Sequence, residues 1–204
     1  MAMHDALTKL PNRAMFYREL ERALARAERE PCRIGVFLVD LDRFKDVNDT
    51  FGHASGDQLL VEIANRLTEC VRTEDLVARL GGDEFAVVAV GRDASNGFAA
   101  LARRIVDRLS ERAWIAGNEI EPGASLGMTV YPDDPGSLDE LIAHADRALY
   151  AAKQRGRGNW MRFDETARRG RAEGPRRLDD LERTWSAVRP ISAGGRSSAS
   201  ARWR

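Results

Sequence analysis

"DLVARLGGDEFAVVAV" occupies residues 75–90, and its reading decides the fold. The apolar halves, 75–80 and 84–90, read as two β-strands, and Gly81, Gly82 and Asp83 between them read as the turn of a hairpin. Two features count against an ordinary hairpin. Glycines weaken a strand pattern, and the adjacent carboxylates of Asp83 and Glu84 repel unless positive charge lies between them. Taken alone, the segment still reads as a turn with a solvated glutamate.

Outward from the hairpin, "RIGVFLV" (33–39) is a continuous apolar run ending at Asp40, the pattern of a strand buried on both faces. "PNRAMFYRELERALARAERE" before it is helical, with Phe16, Leu20 and Leu24 four apart between Pro11 and Pro31. "DLDRFKDVNDTFGHASGD" (40–57) is polar, glycine-bearing and irregular. Leu60, Ile63, Leu67 and Val71 mark a helix after it, and Phe98, Leu101, Ile105 and Leu109 mark another beyond the hairpin. "AGNEIEPG" reads as a turn leading into the strand "GASLGMTVY" (123–131). Leu138, Leu141, Ile142, Ala145 and Leu149 form the last helical stripe, ending near "KQRGRGN", and "WMRF" (160–163) is a short closing strand. The order helix, strand, helix, hairpin, helix, strand, helix, strand predicts an α/β fold of the α+β sandwich kind, a mostly antiparallel sheet flanked by helices.

Composition narrows the function classes. The chain of 204 residues, 43% hydrophobic, is long enough for one cored domain with extensions. Residues 1–164 form that expected domain. Net charge is zero overall, but residues 165–204 carry ten Arg against five acidic residues, leaving an acidic body. Such a body lacks the broad basic face that binds nucleic acid. The tail, rich in small and polar residues, reads as largely disordered. Cys32 and Cys70 have no zinc-like spacing and read as reduced structural thiols. The N-terminus shows no apolar signal core, and no run approaches the ~20 apolar residues of a membrane span. A cytoplasmic location is therefore expected.

The chemistry begins at Asp40, where a buried strand delivers a carboxylate to the sheet edge. If the hairpin reaches the same edge, Asp83 and Glu84 join it, and three converging carboxylates call for divalent cations of the Mg²⁺ or Mn²⁺ type. Gly81 and Gly82 let backbone approach a bulky ligand and turn N–H groups toward phosphate. Carboxylates, metal and a glycine turn together suggest phosphoryl or nucleotidyl transfer.

"DLDRFKDVNDTFGHASGD" and "RLGGDEF" together resemble the GGDEF family, the diguanylate cyclases. "DALTKLPNR" (5–13), "ASLGMTVYP" (124–132) and "ADRALYAAKQRGRGN" (145–159) match further family segments in order, so the resemblance covers about residues 5–163. It implies a nucleotidyl-cyclase-like fold and the condensation of two GTP into cyclic di-GMP with release of two pyrophosphates. It also implies two Mg²⁺ or Mn²⁺ per site, held by Asp40, Asp83 and the Leu41 carbonyl. Asp83 or Glu84 then assists loss of the ribose 3′-hydroxyl proton. Phe44 and Lys45 match a phosphate-holding turn, and Asn48 and Asp57 match the guanine-reading pair. An ionised Asp57 accepts from the N1–H and 2-amino donors of guanine, a pair that adenine lacks. His53 lines the same pocket or is a structural loop residue; His4 and His144 have no motif support. Lys153 and Arg157 match cations for the terminal phosphates; four apart, they share a face if the helix continues through Gly156. Arg72 and Asp75 match an inhibitory RxxD site for the product.

Each site of this kind binds one GTP, so the resemblance also implies a homodimer for catalysis. Lys9 departs from the family's usual glycine in the lead-in turn, and Pro122 leaves the register of its hairpin open. Family members are usually fused to a sensor domain, and "RFDETARRGRAEGPRRLDDLERTW" (162–185) resembles the connector that leads into an EAL phosphodiesterase domain. The alternative is a catalytically idle module that binds GTP or cyclic di-GMP and acts through a partner.

Overall fold

Strand β1 (Arg33–Asp42) is the middle of the molecule, buried along nearly its whole length. A computed structural model describes residues 3–91 and 96–163, so the expectation of a disordered tail at 165–204 lies outside the described residues. The remaining elements in chain order are α1 (Arg13–Ala27), which precedes β1, then α2 (Phe44–Phe51), α3 (His53–Cys70), β2 (Leu76–Gly81), β3 (Glu84–Gly91), α4 (Asn96–Leu109), β4 (Ala113–Ile115), β5 (Asn118–Ile120), β6 (Gly123–Tyr131), α5 (Leu138–Gln154) and β7 (Trp160–Arg162). The five-stranded sheet runs β2-β3-β1-β6-β7, and β4 and β5 form a separate two-stranded hairpin. All pairs in the large sheet are antiparallel except β6 with β7. The expected α+β sandwich is therefore what the chain forms.

The period of two along each strand sorts side chains to the two faces. Phe37, Val39, Leu41, Phe85, Val87, Leu126 and Met128 pack with residues of α3 and α4. Ile34, Val36, Leu38, Ala86 and Val88 pack with Phe16 and Leu20 of α1 and Ile142, Ala145 and Leu149 of α5. By this parity Asp40 and Asp42 of β1, Glu84 of β3 and Ser125 of β6 belong to the α1–α5 face. Gly127 lies on the same face and has no side chain for a reason. A Cβ there would stand 2.1 Å from both the Ala145 carbonyl oxygen and the Leu149 nitrogen of α5.

Three expectations about local structure change. The segment 40–57 is ordered: β1 continues to Asp42, and Phe44–Phe51 forms a two-turn helix. Phe44 and Val47, one turn apart, bury against the core, an amphipathic signal too short to register against the polar residues between. The 116–123 turn contains β5, which pairs with β4 around Ala116 and Gly117, both at positive φ. Ala113 pairs with Ile120, which fixes the register that Pro122 left open. Helix α5 stops at Gln154, so Lys153 and Arg157 do not share a helical face; Gly156, Arg157 and Gly158 all have positive φ.

Candidate active site

The site collects at the end of β1. Asp40 pairs across the sheet with Glu84 on one side and Ser125 on the other. The Leu41 N–H donates to the Asp83 carbonyl at 3.2 Å, which ties the glycine turn to the strand end. Asp83 sits in the turn itself, half-buried, while Gly81 and Gly82 are exposed with φ of 139° and 54°. No Cβ clash is met at either glycine, so backbone conformation, not crowding, demands them. The hairpin therefore does reach Asp40, as the sequence led one to expect.

Cations answer the carboxylates. Lys153, in the last turn of α5, places its Nζ 2.5 Å from Asp40 Oδ1, with the carboxylate 5% exposed. Arg13 of α1 approaches Glu84 at 3.9 Å and donates from Nε to the Leu80 carbonyl at 3.1 Å. Arg157 Nε lies 3.8 Å from Asp42 Oδ1. Among the described residues no cluster of three or more His, Cys, Asp or Glu side chains forms a closed metal cage. Asp40, Asp83 and the Leu41 carbonyl are hard oxygen donors, which suits a cation that keeps waters and takes its other ligands from phosphate, as Mg²⁺ does. The Lys153 ammonium on Asp40 marks this carboxylate as a place where positive charge is stabilised.

On the other side of the strand end, α2 begins after Arg43, which adopts φ 55°. The first-turn N–H groups of a helix have no intrahelical partner, so those of Phe44 and Lys45 point outward as donors. The Asn48 side chain lies against α3: a Cβ on Gly56 would fall 1.9 Å from Asn48 Oδ1. Asp57, next to Gly56 in the first turns of α3, is exposed, as is His53 at the helix start. A cleft of about 880 Å³ opens beside α2, facing the β4–β5 hairpin. It shares Leu41, Asp42 and Phe44 with the site, but its walls exclude Asn48, Asp57, Asp83 and Lys153. The residues expected to read the nucleotide therefore lie outside this cleft.

Arg72 and Asp75 stand apart, at the α3–β2 turn. Arg72 is 74% exposed, with Glu74 4.0 Å away. Asp75 accepts the Arg72 N–H at 3.0 Å and the Val90 N–H at 3.1 Å, so it also shapes the turn.

Two residues of the site escaped sequence reading. Arg79 donates from Nε and an outer nitrogen to the Gly82 carbonyl at 3.1 and 2.8 Å and pairs with Asp5 at 3.0 Å. Asp42 accepts from Ser125 and from the Gly158 N–H. The signal for Asp42 was its spacing: two residues after Asp40, it shares that residue's face.

The fold and this carboxylate-lysine-glycine edge define a nucleotidyl-cyclase type of protein. The chain belongs to the GGDEF family: the family model described as "Diguanylate cyclase, GGDEF domain" matches residues 2–159. It is similar to the bifunctional diguanylate cyclase/cyclic di-GMP phosphodiesterase MucR of Pseudomonas aeruginosa, 41% identical over 181 residues, which are 89% of this chain and 26% of that protein. Among solved structures, the GGDEF domain of TpbB (YfiN) from Pseudomonas aeruginosa has a TM-score of 0.78 at 38% identity, over 81% of this chain and 97% of that one. The GGDEF domain of DgcB from Caulobacter crescentus, solved with cyclic di-GMP, has a TM-score of 0.74 at 32% identity, over 79% of this chain and 96% of that one. The chain spans about a quarter of the length of MucR and 37% of TpbB. No helix among the described residues is long and apolar enough to cross a membrane.

Proposed function

We propose that this chain is a diguanylate cyclase that joins two GTP into cyclic di-GMP and releases two pyrophosphates. One observation carries the reading: Asp40 is the cross-strand partner of Glu84 and pairs with the ammonium of Lys153, while the next residue, Leu41, bonds the Asp83 carbonyl of the glycine turn. Asp40, Asp83 and the Leu41 carbonyl would hold Mg²⁺ or Mn²⁺, two per site, and the bound metals would supply neutralisation of phosphate charge. The remaining steps fall to the chain. Gly81, Gly82 and the N–H groups of Phe44 and Lys45 receive phosphate oxygens, with the Lys45 ammonium adding charge. Lys153 and Arg157 take the terminal phosphates. Asp57 accepts from guanine N1–H and the 2-amino group, Asn48 contacts the same base edge, and His53 borders it. Asp83 or Glu84 accepts the proton of the ribose 3′-hydroxyl, whose oxygen attacks the α-phosphorus of the GTP held by a second copy. A homodimer follows from that geometry. Arg72, with its exposed fork of donors, and Asp75, with lone pairs left beyond its two backbone bonds, form the inhibitory product site.

The test is turnover of GTP with Mg²⁺ at high protein concentration, with product removed. Cyclic di-GMP is expected from wild type, and a loss of about a hundred- to a thousandfold from Asp83→Ala, the scale of removing an electrostatic group essential to the transition state. Wild type that binds GTP or cyclic di-GMP but makes no product would establish the idle binding module instead.

A further inference from the structure

Asp42 is committed to more partners than a surface carboxylate needs. Its side chain is 8% exposed. Ser125 Oγ donates to Oδ1 and Oδ2 at 2.9 and 3.1 Å, and the Gly158 N–H donates to Oδ2 at 2.9 Å. The partner opposite in register is Gly123, where a Cβ would sit 3.4 Å from the carboxylate. The loop it grips is in an unfavourable posture. Gly156, Arg157 and Gly158 have φ of 110°, 62° and 59° in succession, and Arg157 is not a glycine. Asn159 supplies the second tie, its amide donating to the Ala152 and Arg157 carbonyls at 3.1 and 2.9 Å. Arg157 Nε lies 3.8 Å from Asp42 Oδ1, an ion pair longer than a hydrogen bond, and its half-exposed guanidinium keeps donors for a ligand.

We infer that Asp42 is a positioning residue for Arg157: it holds the 156–158 loop in its left-handed posture and orients the guanidinium toward the terminal phosphates of the nucleotide. The inference rests on the reading that Arg157 contacts those phosphates. It gives the second aspartate of "DLD" a role separate from the first.

The experiment measures affinities of the full chain for 3′-deoxy-GTP and 3′-deoxy-GMP with Mg²⁺; neither ligand can react, since the attacking hydroxyl is absent. The readout is the triphosphate-over-monophosphate affinity ratio. Asp42→Asn keeps the shape and removes the charge. It should lower the ratio about tenfold, the worth of one charge-assisted hydrogen bond, and leave monophosphate affinity unchanged. Arg157→Ala should lower the ratio similarly, and the double variant should lose nothing more. An unchanged ratio in Asp42→Asn, an equal loss for both ligands, or losses that multiply in the double variant would overturn the inference. If Asp42→Asn lacks a cooperative melt, Asn159→Ala takes its place, with the same expected ratio and the same overturning results. Wild type that binds neither nucleotide would overturn the cyclase reading itself, and this inference with it.

Discussion

Arg79 shows how one side chain keeps the glycine turn in place. It is 11% exposed and bridges the Gly82 carbonyl to the Asp5 carboxylate, while its own N–H bonds the Pro11 carbonyl at 2.9 Å. Asp5 in turn accepts the Thr8 N–H and hydroxyl, both at 2.8 Å. A turn built on two glycines has no stiffness of its own, and this bracket supplies it. Arg79→Ala strips charge-assisted bonds from the partly buried Asp5 and the exposed Gly82 carbonyl and should cost about 2 kcal/mol, read as a lower urea midpoint with the slope unchanged. Cyclic di-GMP production should fall with it. Asp5 adds a pH dependence. Burial raises its carboxyl pKa, but the Thr8 hydrogen bonds and Arg79 outweigh this and hold it below its ordinary 3.8. The folded state therefore keeps the carboxylate ionised where the unfolded chain has begun to bind a proton. The stability it contributes is complete above 3.8 and is lost as pH falls through the lower folded value. Acid titration of Asp5→Asn should show a shallower loss of stability below that point; an unchanged slope would contradict the account.

Helix α5 carries Lys153 to Asp40 only because it can lie directly on β6 at Gly127. A methyl group there meets backbone on both sides at 2.1 Å, and backbone cannot rotate away as a side-chain tip can. Gly127→Ala should destabilise by about 3 kcal/mol or more, whereas Gly97→Ala, where the added Cβ meets nothing within 4 Å on α4, should be neutral or stabilising by about 0.5 kcal/mol. Parallel urea melts decide between crowding and a general effect of added methyl groups. The same level of structure separates what was legible in the sequence from what was not. The strands β1, β3 and β6 announced themselves because burial on both faces leaves mostly apolar residues, and the apolar run of β1 pointed to Asp40 by ending there. Helix α2 hid because eight residues hold only two core contacts, Phe44 and Val47. Residue spacing carries no information about φ, so the shared face of Lys153 and Arg157 was conditional on a helix running through Gly156, and α5 stops at Gln154. Both Lys153 and Arg157 still arrive at β1, one from the helix and one from the loop, so the pairing survived although its geometry did not. Asp42 and Arg79 went unread because their partners, Gly158, Ser125, Gly82 and Asp5, include backbone groups and residues distant in sequence.

At the scale of the molecule, the proposed catalytic carboxylates and glycines gather at the end of β1, and the glycine turn there is open to solvent. Gly81 and Gly82 are exposed at the hairpin tip with Asp83 half-buried, and Asp57 and His53 are exposed at the start of α3. In the proposed reaction each GTP is both attacker and target, and its own α-phosphorus cannot be the target for both new bonds of a symmetric cyclic product. The proposed reaction therefore has two copies facing each other, related by a twofold axis through the product. Turnover then requires an encounter, and its rate per chain should rise with total protein concentration until the dimer saturates. A plot of initial velocity against protein concentration should have a logarithmic slope near 2 at the dilute end, falling to 1 as chains pair. Asp83→Ala mixed in excess with wild type should depress the rate per wild-type chain, because mixed dimers hold only one competent edge. A slope of 1 across the whole range, with no inhibition by the variant, would mean that the chains are already paired by other contacts or that one chain suffices. Analytical ultracentrifugation at the same concentrations separates these, since a single-chain species that turns over GTP is incompatible with the facing geometry.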